Sequence, residues 1–164
     1  KYAKEKEFKD SWLETNEFGD SYIKEELQGG YHYHFDQQFL EIFFNTGGKI
    51  ELYNYSIKKN DLIISGEMIP PKTIRLVHPH LDNVTSEGVI IHELGHYFDE
   101  KHQFSSSKQF TKLYKKYRTL FNQKTKKEYF AECFKEYVGG HQEKVKPFHS
   151  YMKTITQKIR QKNK

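Results

Sequence analysis

The sequence predicts an α+β fold: a small mixed β-sheet with an exposed edge strand, packed on a helical half that carries the chemistry. Three observations predict it. Polar and apolar residues alternate over Lys49–Tyr55, the period of a half-buried strand, and Thr73–Val77 is β-prone. From Val84 onward the apolar positions instead recur at helical spacing. Glycine pairs at Gly47-Gly48 and Gly139-Gly140 stand where helical patterns stop, because glycine takes the left-handed backbone that a helix C-terminus needs. Strand signals followed by a long helical run suit a sheet and helices segregated within one fold.

At 164 residues and 19.7 kDa the chain has the size of one domain, large enough to bury a core without disulfides or oligomerisation. A single domain over 1–164 is expected, acting as a monomer. It divides into an N-terminal helical segment (1–30), a helix and small sheet (31–80), and a helical half with the functional residues (84–160). Phe, Tyr and Trp supply 26 side chains, and disordered chains lack such rings. No apolar run approaches the roughly 18 to 20 residues of a membrane-spanning helix. The lone Cys133 has no intramolecular disulfide partner. The net charge is +5, but only Arg75, Arg118 and Arg160 among the cations offer the planar fork that base and phosphate recognition favours. The lysines read as a solubilising surface, and no specific nucleic-acid partner is expected.

Taken in order, Phe8, Trp12 and Leu13 are spaced for a helix within the charged N-terminal segment. A short helix is expected over Asp36–Asn45, stopped by Thr46-Gly47-Gly48, and a strand over Lys49–Tyr55. Leu62–Ile64 reads as a strand fragment, and Gly66–Lys72, with its Pro70-Pro71 pair, as a loop. Thr73–Val77 is β-branched and stopped by Pro79, which makes it the expected edge strand. Helices follow over Val84–Glu100, from the Ser105–Ser107 cap through Phe121, over Lys126–Val138, and over Phe148–Arg160.

His92-Glu93-Leu94-Gly95-His96 lies inside the strongest of these helices. At about 100° per residue, positions four apart differ by only about 40°. His92 and His96 therefore share a face and reach one metal ion, while Glu93 stands beside it, placed to take a proton from a metal-held water. Val89, Ile90 and Ile91 bury the helix, and Gly95 lets another element come close.

A catalytic zinc site has three protein ligands and one open position. Two residues compete for the third place. His102 fits the spacing of the metzincins, but Asp99 replaces the glycine of their turn and no later methionine supplies their Met-turn. Glu128 and Glu132, four apart on a later helix, instead give the glu-zincin layout, with Tyr129, Phe130, Cys133, Phe134 and Tyr137 anchoring the other side.

The segments His92–Asp99, Ser107–Phe110 and Glu128–Phe134 resemble the zinc-peptidase domain of anthrax lethal factor and the small secreted Pro-Pro endopeptidases related to it. The likeness is best over residues 84–155. It implies one Zn²⁺ on His92, His96 and Glu128, Glu93 as general base, and Glu132 behind a ligand. It also implies a secreted or extracytoplasmic zinc endopeptidase with a protein or peptide substrate.

The sequence departs from these relatives in two places. Phe121 occupies the position of their oxyanion-donating tyrosine, which leaves Tyr117 as the alternative donor. The compact Ile69–Lys72 segment replaces their tryptophan-bearing substrate loop, so Pro-Pro specificity does not carry over. The substrate strand is expected at Ile74, Arg75 and Leu76. A metal-holding module of little activity is the alternative function.

Overall fold

The structure is a computed structural model that describes residues 13–15, 38–53, 57–59, 62–77, 86–123 and 125–162. Its strands are β1 (Leu13–Thr15), β2 (Lys49–Tyr53), β3 (Ile57–Lys59), β4 (Leu62–Ile64), β5 (Gly66–Ile69) and β6 (Thr73–Val77). Its helices are α1 (Gln38–Asn45), α2 (Ser86–His102), α3 (Lys108–Lys116), α4 (Lys126–Val138) and α5 (His149–Lys162), with 3₁₀ turns at Phe104–Ser106 and Gln142–Phe148. The α+β class is as expected.

Five of the eight residues of α1 are buried. The helix stops where Gly48 N–H donates to the Phe43 carbonyl at 2.9 Å and Gly47 takes φ +91°. Gly48 has a second reason to be glycine, since a Cβ there would lie 2.5 Å from the Phe43 ring. The turn feeds β2, which pairs in parallel with β1 on one side and β6 on the other. The sheet order is β1-β2-β6-β5, and β3 and β4 form a separate hairpin.

Two expectations for the sheet are corrected here. Leu13–Thr15, placed in a helix by spacing, is a strand whose backbone pairs with Ile50–Leu52; the rest of that helix lies outside the described residues. Thr73–Val77 is internal rather than an edge, because Gly66–Ile69, read as loop, pairs antiparallel to it. Ile74 and Leu76 are buried, and Arg75 is held between Glu51 at 3.2 Å and Glu67 at 3.7 Å. Residues 74–76 thus have strands on both sides, and β5 is the edge. Pro70 and Pro71 turn the chain between the two strands rather than marking a longer loop.

The helical half closes on an aromatic core. Phe39 meets Phe98 and Phe134 edge-on at 6.0 and 5.6 Å, and Phe110 sits among Phe130, Phe148 and Tyr151. Such pairs add about 0.5–1.5 kcal/mol each beyond the area they bury. α3 begins at Ser107, whose hydroxyl accepts from Phe110 N–H. It ends at Lys116, so Leu120 and Phe121 are not helical as their spacing predicts; Tyr129 O–H reaches the Tyr117 carbonyl just past the helix end. α2 and α4 cross closely. A Cβ on Gly95 would lie 3.0 Å from Ala131 Cα and 3.3 Å from the Ala131 carbonyl oxygen, both backbone atoms.

Gly95→Val is therefore expected to push the two helices apart and cost about 1–3 kcal/mol, measured by urea unfolding. Parent-like stability would mean that the crossing tolerates a wider spacing.

Candidate metal centre

The α2–α4 crossing carries the site. One turn apart on α2, the His92 and His96 rings lie with centroids 4.9 Å apart. On α4 the Thr125 hydroxyl caps the helix by accepting from Glu128 N–H at 3.1 Å, which fixes Glu128 in the first turn, where the helix dipole favours a negative charge. Its carboxylate faces both rings, 3.1 Å from His92 Nε2 and 2.6 Å from His96 Nε2. One atom from each of the three residues fits within 4.8 Å of the others.

Behind this cluster, one turn further along α4, Glu132 Oε2 lies 2.7 Å from His92 Nδ1. With Nδ1–H committed to Glu132, Nε2 is the nitrogen that would turn a lone pair to a metal once the proton it shares with Glu128 is displaced. Lys135 in turn holds the other oxygen of Glu132 at 3.0 Å.

The electrostatics suit a cation. Hydrogen bonds from His92 and His96 hold the Glu128 carboxyl well below the usual carboxylate range. Burial works to discharge His92, but its hydrogen bonds to Glu128 and Glu132 outweigh that and raise its pKa to about 9. Two imidazole nitrogens and a carboxylate form a borderline donor set of the kind zinc takes, so the residues fit a divalent metal.

Glu93 is 7% exposed. Burial raises its pKa, while His92 and His96 pull the other way. It faces a cleft of about 400 Å³ bounded by His96 and Glu128 on one wall and by Gly66, Glu67 and Met68 of β5 on the other. A buried carboxylate of raised proton affinity beside a cluster that could hold a metal has the character of a base.

Several predicted residues fall elsewhere. His102 stacks on Phe104 at 5.0 Å, outside the cluster, and burial with nearby Lys162, Lys101 and Lys158 holds its pKa near 4. Asp99 is buried and accepts from Ser105 N–H at 2.7 Å, bracing the turn that follows α2. Phe121 packs on Tyr129 and Tyr117 on Phe148, so neither lines the cleft. Cys133 is buried and its thiol pushed up by desolvation, the state of an inert core residue. His32, His34, His78 and His80 lie outside the described residues.

Sequence reasoning missed the β5 wall. Four residues are too few for a clear alternation, and the adjacent prolines disguise them as loop. It also missed Lys127, which lines the cleft one position before Glu128.

The sequence matches no protein-family model, and no curated protein matches it. Among solved structures, the fold is similar to that of a Pro-Pro endopeptidase from Paenibacillus alvei. The TM-score is 0.60 at 13% identity, with 93% of this chain and 97% of that chain covered. The likeness therefore extends over nearly the whole of both chains.

Glu128→Ala should lose bound zinc while His102→Ala retains it, as read by metal analysis of purified protein. Glu132→Ala should weaken zinc affinity by about 10- to 100-fold, and an unchanged titration would reduce Glu132 to a surface acid.

Proposed function

We propose that this chain is a zinc-dependent endopeptidase in which His92, His96 and Glu128 hold the metal and Glu93 is the general base. The observation that carries the reading is the convergence of both Nε2 atoms on the Glu128 carboxylate, beside a buried Glu93 and across a cleft from β5, an outermost strand of the sheet among the described residues. Its fold likeness to a solved Pro-Pro endopeptidase supports it, as do the motifs shared with the lethal factor domain.

A zinc ion bound there supplies Lewis acidity toward water and the scissile carbonyl. The residues of the chain do the rest. An extended peptide lies against β5, whose outer edge is free of strand partners among the described residues, and backbone hydrogen bonds along that edge hold it in register. Glu93 takes a proton from the attacking water and returns one to the departing amine. Glu132, braced by Lys135, keeps His92 in its ligating tautomer. On the family resemblance, we place the protein's action outside the cytoplasm.

One observation favours a second reading, a metal-holding module of low activity. No tyrosine lines the cleft among the described residues. Removing a donor to the developing oxyanion costs about 10²- to 10³-fold in other enzymes.

Glu93→Gln is the deciding variant. It should keep full zinc and the parent melting temperature while peptide hydrolysis falls by about 10²- to 10⁴-fold. Turnover equal to the parent would remove Glu93 from the mechanism. Stoichiometric zinc in a parent protein without chelator-sensitive hydrolysis would favour the second reading.

A further inference from the structure

Beyond the end of β5 the cleft continues into a second cavity of about 360 Å³, with which it shares Pro70 and Glu100. Its other walls are Thr46, Pro71, Lys72, Tyr97 and Lys101. Three elements build it: the turn after α1, the β5–β6 turn and the last two turns of α2.

The hydrogen bonding of this cavity is settled by counting protons. Thr46 Oγ1 donates to the Phe43 carbonyl at 2.9 Å. Its single proton is thereby used, so in the 2.7 Å contact with Tyr97 the tyrosine hydroxyl is the donor. Neither hydroxyl keeps a proton for a ligand. The donors left are the ammonium groups of Lys72 and Lys101.

Both lysines are available. The end of the Lys72 side chain lies over Gly47, where a Cβ would come within 2.8 Å of Nζ, and it reaches only the Thr46 carbonyl, at a long 3.4 Å. Lys101 Nζ lies 5.9 Å from the centre of the Tyr97 ring. Among the described residues, neither has a carboxylate within ion-pair distance. Glu100 stands on the border shared with the catalytic cleft, and the two cations outnumber it.

We propose that this cavity is a substrate subsite for an acidic side chain, Asp or Glu, of the peptide being cut. The proposal rests on the peptidase reading and adds to it a substrate class. A peptide paired along β5 advances about 3.3 Å per residue. Past Ile69 it meets the cavity, whose wall at Pro70 and Glu100 is shared with the cleft. There the apolar faces of Tyr97, Pro70 and Pro71 receive the stem of the side chain, and the two ammonium groups receive its carboxylate.

Cleavage of a mixed peptide library, read by mass spectrometry, tests this on the zinc-loaded protein. It is followed by matched peptides carrying Glu, Ala or Lys at each position within four residues of the cut. At one position the parent should prefer Glu over Lys by about tenfold in kcat/KM, mainly through KM. The double variant Lys72→Glu/Lys101→Glu should reverse that preference with zinc content unchanged. The uncleaving Glu93→Gln protein, titrated with the same labelled peptides by fluorescence anisotropy, should show the same order of affinity. Cleavage indifferent to charge at every position, or a preference that survives the double reversal, overturns the subsite and leaves the peptidase reading standing. If the zinc-loaded parent cuts no peptide, the peptidase reading falls and the subsite with it.

Discussion

The site depends on how closely two helices cross. α2 supplies two imidazoles and α4 a carboxylate, and only a near-contact of backbones brings those side chains within reach of one ion. Gly95 permits that contact by presenting no Cβ to Ala131. The small pair sits within one helical turn of His92, His96, Glu128 and Glu132, so any widening would be felt directly by the donor atoms. The surrounding aromatic core keeps the crossing from drifting, because Phe98 and Phe134, one from each helix, pack against each other and against Phe39.

The grouping of the candidate ligands was legible in the sequence because helical spacing converts residue numbers into directions. His92 and His96, or Glu128 and Glu132, need only a regular helix to share a face, and both segments are regular. The Ser107 cap was readable too, since a hydroxyl before a helical run has one natural use. The choice between Glu128 and His102 was not settled by spacing, because it depends on which helix returns to pack on α2. The stacking of His102 on Phe104 and the arrival of Glu128 at both Nε2 atoms are tertiary facts.

The sheet was harder to read. A strand's place in a sheet is set by its neighbours, and nothing in Thr73–Val77 says that a four-residue strand will come back alongside it. The pattern of Ile74 and Leu76 inward with Arg75 outward suits an internal strand as well as an edge. Leu13–Thr15 failed for a related reason: three residues carry no measurable period, so the apolar spacing around Trp12 dominated the reading. The end of α3 at Lys116 likewise overrode a helical apolar pattern that runs on to Phe121, once Tyr129 had claimed the Tyr117 carbonyl.

A strand edge without a partner, as β5 is among the described residues, can receive another copy of itself, and proteins that keep such an edge limit its spread. Here β5 is four residues long and carries the charged Glu67. It runs directly into Pro70 and Pro71, which have no N–H to offer a growing ladder. A partner strand would find a short run of pairing sites, the partly exposed Glu67–Arg75 ion pair to disturb, and then a stop. The same brevity that hid β5 in the sequence guards the protein against edge-to-edge aggregation, while the groove beside it stays open to a guest that needs only a few residues of contact.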